Sequence, residues 1–366
     1  MIKKLLKYIR IRYNSDRNNL NDQNYNLSLR DMDNDNLNNN SLYAFYDLDL
    51  HPISFDVSYF IVACEIERKK KGLESIHVVF VPMADMLARE VPENYNKIVD
   101  IHSRMWRFDN ICTQIPRLMP SVIGITACST RHEADLYRKL APNQFPSLGA
   151  RPAHHADYFQ LVLSELHLIG RGSWGLTATI QSKRYVKSWL DLNAKGKKPI
   201  VITLRQYQVD PERNSDPAAW TAFAAWLDKS KYFPVFVPDT DHAHEYPTSE
   251  FKDYAFFEPA AWSIGLRMAL YELAFLNMFV NTGPNSLAVL SSHCRYIFFK
   301  VLIPDIALTS VDFLRWLGFT PGETPNFATP YQKWLWNGAD DFDTLQREFA
   351  DMDQKIGNDW EYDYGN

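Results

Sequence analysis

The chain has 366 residues, enough for two domains, and its 46% hydrophobic composition can fill two cores. The net charge of −5 at pH 7 argues against a general nucleic-acid-binding function, which needs a basic surface. The four cysteines are scattered and form no Cys-x-x-Cys pair, so neither a disulfide framework nor a zinc site is expected. No apolar run approaches the roughly 20 residues that a membrane-spanning helix needs.

The N-terminal 41 residues differ in composition from the rest. Residues 1–12, MIKKLLKYIRIR, combine five positive charges with apolar residues at helical spacing. This pattern is typical of a basic helix that rests on anionic lipid, and equally of a solvated, frayed start. Residues 14–41 are rich in asparagine and predict a disordered tether, because they cannot bury enough apolar surface to offset the entropy of ordering. We expect a cytoplasmic protein, with residues 1–12 as the candidate for peripheral contact with the inner face of the membrane.

From residue 42 onward, short apolar runs alternate with helical patterns. The first half contains three predicted strands, LYAFYDLDL, SIHVVFVP and VIGITAC, with helices between and after them. Alternating strands and helices favour parallel pairing in a sheet that helices cover. Residues 42–185 are therefore predicted to form one α/β domain.

A second alternating series follows, and the boundary is expected near residues 175–198. Its strands include IVITLRQY, YFPVFVPDTD and LNMFVNTG, and its helices include one with Asp216 as N-cap and one over residues 258–274. Residues 186–330 are predicted to form a second α/β domain. Residues 331–366 are predicted to form a C-terminal helix and acidic tail, with the helix packed back across the first domain.

Three segments of the second series carry polar residues where a strand ends. Arg205 follows the apolar run IVITL, and Asp239 and Asp241 follow the next strand. The carboxyl ends of parallel strands share one sheet edge, where open α/β sheets bind ligands. The third segment runs from a strand into a helix through Thr282, Gly283, Pro284, Asn285 and Ser286.

These residue types suit a diphosphate. The arginine fork donates two parallel charge-assisted hydrogen bonds to phosphate, and amides at a helix start attract the same anion. Gly283 would let the backbone approach a ligand closely. A nearby acid would accept hydrogen bonds from the ribose hydroxyls or base N–H groups of a nucleoside. The alternative for Arg205 is a side chain that reaches solvent or pairs with Asp210.

The order and spacing of ITLRQ, VPDTD and VNTGPNSL resemble those of GT-B fold glycosyltransferases, and more loosely of the core and peptide fucosyltransferases among them. The resemblance covers about residues 198–300. It implies two Rossmann-like domains of GT-B type facing a central cleft. It also implies that Arg205 holds the diphosphate, Asp239 or Asp241 the nucleoside, and residues 282–286 the phosphate or base.

By this resemblance, the protein transfers a sugar from a nucleotide-sugar donor to a hydroxyl on a glycan, lipid-linked or protein acceptor. The nucleotide sugar is a co-substrate, and no further cofactor is expected. The alternatives are a sugar-nucleotide epimerase or phosphorylase of the same fold, and a non-catalytic nucleotide- or glycan-binding protein. The run DTDHAH at 239–244 offers metal ligands, but we favour nucleoside contact and expect no essential metal.

Residues after the first strand are candidates for catalysis. His51, Asp49 and Asp56 would face the cleft and position an acceptor hydroxyl or remove its proton. The alternative is that Asp47 or Asp49 caps a turn and His51 lies on the surface. Arg267, on the helix before VNTGP, is a further candidate for phosphate contact; its alternative is a pair with Glu272.

Overall fold

The structure, a computed structural model, describes residues 37–84, 98–147, 154–168, 174–240, 243, 248–303, 306–357 and 360. The basic segment 1–12, the tether as far as residue 36, and Asp241 lie outside these residues. Residues 37–41, assigned to the tether by composition, belong to the folded body. The Asn38 amide donates to the Tyr43 hydroxyl at 3.0 Å, and Leu37 packs against the buried cluster that includes Tyr43.

The first sheet contains four parallel strands in the order β3-β2-β1-β4. The first strand, Ser41–Asp47, is buried along its whole length, which explains the apolar run LYAFY within it. The strands are β1 (Ser41–Asp47), β2 (Ser75–Val81), β3 (Val122–Ala127) and β4 (Gln144–Phe145). The helices are α1 (Val57–Lys70), α2 (Ile101–Arg107), α3 (Arg131–Leu140) and α4 (His155–Glu165).

The second sheet contains six parallel strands in the order β10-β9-β8-β5-β6-β7. Asp216 caps α6 as predicted, because its carboxylate accepts the amides of Ala218 and Ala219. The strands are β5 (Lys198–Thr203), β6 (Tyr232–Val237), β7 (Ala255–Phe256), β8 (Leu276–Phe279), β9 (Tyr296–Phe298) and β10 (Gln332–Trp334). The helices are α5 (Ile180–Ala194), α6 (Pro217–Trp226), α7 (Pro259–Trp262), α8 (Ile264–Leu273), α9 (Asn285–Val289), α10 (Val311–Trp316) and α11 (Phe342–Ile356).

Two boundaries differ from the sequence prediction. The predicted domain boundary at 185/186 falls inside α5, whose buried face packs against α8 of the second domain. The second domain therefore includes the whole of α5. The single helix predicted over 258–274 is two helices, because Ser263 has an extended backbone and caps α8 by accepting the Leu266 amide.

The C-terminal segment packs on the second domain, so its predicted place across the first domain is wrong. Strand β10 pairs with β9 at the edge of the second sheet. In α11, the buried residues recur on one face, and the Phe349 ring lies 5.5 Å from that of Phe223 on α6. The apolar stripe of α11 thus completes the second core.

A buried carboxylate connects this segment to α6. Asp340 is 2% exposed, and its Oδ1 lies 2.5 Å from Lys300 Nζ. Its Oδ2 accepts hydrogen bonds from the Asp216 amide at 2.9 Å and from Trp220 Nε1 at 2.8 Å. One side chain therefore satisfies three donors, two at the start of α6 and one on Lys300.

The predicted fold class is confirmed: two Rossmann-like domains of parallel strands face a central cleft, the GT-B arrangement. Among the described residues, no helix is both long enough and apolar enough to cross a membrane.

We predict that Asp340→Ala destabilises the protein by about 3 kcal/mol or more, because it leaves a cation and two buried donors without their acceptor. Urea unfolding of the variant measures this loss. Asp343→Ala, an exposed acid in the first turn of α11, is the matched control and should cost about 0.5 kcal/mol. Equal losses in the two variants would contradict the role given to Asp340.

Candidate functional site

A cleft of about 1060 Å³ lies between the two domains, at the carboxyl ends of both sheets. The first domain contributes residues that follow β1, and the second contributes residues that follow β5 and β8. Strands β5 and β8 are neighbours in the sheet. From β5 the chain adds β6 and β7 on one side, and from β8 it adds β9 and β10 on the other. This is a topological switch point, the place where open α/β sheets bind ligands.

Arg205 does not line the cleft. It is 4% exposed and lies two residues beyond the end of β5. Its guanidinium donates to the carbonyl oxygens of Val209 at 2.6 Å and Asp210 at 2.9 Å, and to the side-chain oxygen of Asn214. Arg205, the residue predicted to bind a diphosphate, therefore holds together the loop 206–214, because backbone carbonyls of that loop occupy its donors.

The ends of this loop are also joined to each other. The Arg205 amide donates to Ser215 Oγ at 2.9 Å, and the Ser215 amide donates to the Arg205 carbonyl at 3.0 Å. Burial, and next the nearby charge of Arg213, lower the pKa of Arg205 to about 10, so the guanidinium is still protonated at neutral pH.

Arg213 is the arginine of this loop that lines the cleft. Its Nη2 lies 3.2 Å from both the carbonyl oxygen and Oδ1 of Asn281, and its Nη1 lies 3.4 Å from Asp210 Oδ2. Among the described residues, its buried Nε has no hydrogen-bond partner. Burial lowers the pKa of Arg213. The charges of Asp210, in the same loop, and of Asp56, in the first domain, act to raise it. The cleft thus contains a partly desolvated cation.

Sequence reasoning missed Arg213 because it chose the arginine nearest the strand end. Both arginines stand in the run LRQYQVDPERN. The usable signal was the Asp-Pro pair: Asp210 has a left-handed backbone (φ 51°) and starts the 3₁₀ turn Pro211–Arg213, which brings the loop back toward β8.

The segment after β8 does line the cleft, through Thr282, Gly283, Asn285 and Ser286, whereas Pro284 stands at the start of α9. Contrary to the prediction, the amides at the start of α9 already have acceptors. The amides of residues 285–287 donate to the carbonyl oxygens of residues 282–284. Since α9 has only five residues, its dipole is small as well. The amides of residues 285–287 are therefore not free to bind a phosphate.

Gly283 serves the domain interface. A Cβ at this position would lie 2.8 Å from Cδ2 of Phe55, which belongs to the first domain. The Ser286 hydroxyl lies 3.5 Å from the Phe55 carbonyl oxygen. The close approach predicted for a ligand is thus occupied by a side chain that brings the two domains together.

Asp239 and Arg267 lie away from the cleft. Asp239 Oδ2 accepts the Gln206 amide at 3.3 Å, which ties the end of β6 to the loop after β5. Arg267 is 2% exposed and donates to the Ala260 carbonyl at 2.6 Å and the Tyr271 hydroxyl at 3.1 Å, within the helices of the second domain. Among the described residues, which omit Asp241, no three His, Cys, Asp or Glu side chains are placed to hold a metal ion.

The structure separates the three predicted catalytic residues. Asp49 Oδ2 lies 2.7 Å from Arg131 Nη1, and its Oδ1 accepts the Ala84 amide. His51 is 1% exposed and lies between the rings of Tyr46 and Tyr158 in the first core, so its expected surface or cleft position is wrong.

Only Asp56 of the three lines the cleft. It directly precedes α1, and its charge acts on Arg213 of the opposite domain. The alternative turn-capping role falls to Asp47, whose Oδ1 accepts the Asp49 amide at 3.0 Å. A carboxylate of the first domain and an arginine of the second therefore line the same cleft.

The sequence matches no family model and no curated protein. Solved structures similar to this chain include the glycosyl transferase family 9 from Veillonella parvula DSM 2008, with 10% identity, coverage of 87% of this chain and 89% of that chain, and a TM-score of 0.47. The E. coli ADP-heptose lps heptosyltransferase II has 10% identity, coverage of 87% and 99%, and a TM-score of 0.45. The wall teichoic acid polymerase TagF has 10% identity, coverage of 97% and 91%, and a TM-score of 0.32.

We predict that Gly283→Ala destabilises the protein by about 1–3 kcal/mol, because the new methyl group overpacks against Phe55. In a Phe55→Ala background the same substitution should cost little, since the crowding atoms are gone. Urea unfolding of the four proteins gives the coupling energy. If Gly283→Ala costs the same in both backgrounds, the contact does not set the choice of glycine.

Proposed function

We propose that this protein is a glycosyltransferase that moves a sugar from a nucleotide-sugar donor to a hydroxyl acceptor. The observation that carries the proposal is the position of Arg213. It lies in the interdomain cleft, at the switch point of the second sheet, beside the segment 281–286 and opposite Asp56. A cation of one domain and a carboxylate of the other, across one cleft, suit a reaction that releases an anion and removes a proton.

The diphosphate of the donor would bind Arg213. A guanidinium is planar and donates two parallel charge-assisted hydrogen bonds to phosphate oxygens, which are stronger where water is excluded. This fixed cation would stabilise the leaving diphosphate electrostatically, so we propose that no metal ion is required. Arg205 would act indirectly, by holding the loop that carries Arg213.

The nucleoside would lie along the segment after β8. Asn285 is 3% exposed, and its Nδ2 donates to the Val280 carbonyl at 2.6 Å. Among the described residues, its Oδ1 has no hydrogen-bond partner, although it lies in a residue that lines the cleft. Such a buried acceptor suits a hydroxyl or N–H donor of the ligand. The side chains of Thr282 and Ser286 provide further hydroxyls, whereas Asp239 and Arg267 are not part of the proposed site.

Asp56 would act as the general base toward the acceptor. The acceptor oxygen forms a bond to the anomeric carbon, and the bond between that carbon and the phosphate oxygen breaks. The nucleoside diphosphate leaves with the electron pair, and Asp56 takes the proton of the acceptor hydroxyl. Asp49 and His51 have no part in this step, because ion pairing and core packing occupy them.

We predict that Arg213→Ala weakens nucleoside diphosphate binding by about tenfold to a hundredfold, since charge-assisted hydrogen bonds contribute roughly 1.5–3 kcal/mol each. Arg213→Lys should recover only part of the affinity, because it keeps the charge and loses the planar fork. Isothermal titration against a panel of nucleoside diphosphates, run in chelator, measures both effects.

Arg184→Ala is the control for Arg213→Ala, because this arginine is exposed on α5, outside the cleft. It should bind like the unaltered protein. If folded Arg213→Ala binds nucleoside diphosphate with full affinity, the diphosphate does not bind at this site. Binding that disappears in chelator and returns with Mg²⁺ or Mn²⁺ would instead show that a metal is required.

We predict that Asp56→Asn lowers the turnover number by about 10²–10⁴-fold, the usual contribution of a general base. Nucleoside diphosphate affinity should be unchanged or slightly higher, since a negative charge near Arg213 is lost. Donor turnover and titration, measured on the same preparation, separate the two effects. Equal turnover by both proteins would exclude Asp56 as base, and donor binding without transfer to any acceptor would favour the non-catalytic alternative.

A further inference from the structure

The cleft has an apolar part that the donor site does not use. We call it the apolar lobe and define it by six side chains that line it: Phe159, Phe298, Phe313, Leu317, Phe319 and Trp334. Four of them, Phe159, Phe319, Trp334 and Phe298, form a continuous row of rings. The Phe319 ring lies 6.3 Å from that of Phe159 and 5.3 Å from that of Trp334, and Phe298 lies 5.0 Å from Trp334.

The apolar lobe is continuous with the proposed reaction centre. Phe159 stacks on Tyr59 with ring centroids 3.7 Å apart, and Tyr59 lies one turn beyond Asp56 at the start of α1. The polar residues 208–213 and 281–286 and the apolar lobe border the same cavity. A ligand whose head lies at Asp56 can therefore extend along the aromatic wall.

The chemistry of the wall discriminates between acceptor classes. Its six side chains contain a single polar atom, Trp334 Nε1, which already donates to the Tyr296 hydroxyl at 2.9 Å. A saccharide placed here would lose the hydrogen bonds that its hydroxyls make with water and gain none from these side chains. A hydrocarbon loses no hydrogen bonds and gains from leaving water.

We propose that the acceptor is amphipathic, with a hydroxyl-bearing head at Asp56 and a hydrocarbon chain in the apolar lobe. This inference rests on the proposed function, because it assigns the acceptor of the same site. It selects the lipid-linked acceptor over a glycan or protein acceptor. The cavity volume of about 1060 Å³ is at or above the upper end of the 300–1,000 Å³ usual for single small ligands, which leaves room for a chain beside a nucleotide.

The test is isothermal titration of the full chain with ethyl, hexyl and decyl glucoside, each below its micelle concentration. The head is constant, so only the chain varies. Affinity should rise about fourfold for each methylene that enters the apolar lobe, as expected from the transfer of a buried CH₂ out of water. Geranyl glucoside, with as many carbons as the decyl compound, distinguishes an isoprenoid from a straight chain; tight binding of either supports the proposal.

Two leucine variants locate the effect. Leu308 lines the cleft, lies in the turn that packs against the helix carrying Phe313, and is 54% exposed, so Leu308→Glu places a carboxylate beside the apolar lobe with little risk to the fold. It should weaken decyl glucoside binding by about tenfold or more, on the order of the loss of two buried methylenes. Leu192→Glu, at a 73% exposed leucine on α5 outside the cleft, should have no effect.

The outcomes separate this inference from the proposed function. Nucleoside diphosphate affinity should be the same in Leu308→Glu and the unaltered protein, because that site lies at Arg213. If no nucleoside diphosphate binds but the chain-length dependence is seen, the donor proposal fails alone. Three results would overturn the proposal of an amphipathic acceptor. The affinity would not depend on chain length, it would rise with added sugar units instead, or it would fall equally in Leu192→Glu.

Discussion

The site depends on one buried arginine that does not line it. Arg205 donates to the carbonyl oxygens of Val209 and Asp210. These hydrogen bonds hold the conformation of the loop between β5 and α6. A buried guanidinium is costly unless its donors are satisfied, and this loop satisfies them. The consequence is a rigid support for Arg213, which lies where the strand order of the second sheet reverses.

The two domains meet through an equally specific contact. Phe55 packs where Gly283 has no side chain, and Asp56, the next residue along, lines the cleft opposite Arg213. The interface and the site thus share the same two short segments, one after β1 and one after β8. The residue that joins the domains and the carboxylate that lines the cleft are therefore neighbours in the chain, and the apolar wall beginning at Tyr59 extends from that point.

Periodicity and strand alternation were enough to predict two sets of parallel strands and the position of Thr282, Gly283, Asn285 and Ser286 at a strand end, because continuous apolar strands are a local property. The role of Arg205 was not predictable in the same way: whether a strand-end arginine meets a ligand or its own loop depends on where carbonyl groups come to lie. His51 and Asp49 failed for a related reason, since their partners Tyr158 and Arg131 are distant in sequence. The place of α11 depended on a contact between Phe349 and Phe223 that no local pattern specifies.

We propose that Arg213, and not Arg205, binds the nucleotide diphosphate. The most direct measurement is a crystal structure of the protein with the nucleoside diphosphate that binds it most tightly. We expect phosphate oxygens within hydrogen-bonding distance of Arg213, between the segment 281–286 and Asp56, with Arg205 still bonded to Val209 and Asp210. A diphosphate held by Arg205 after the loop has opened, or one bound outside the cleft, would contradict it.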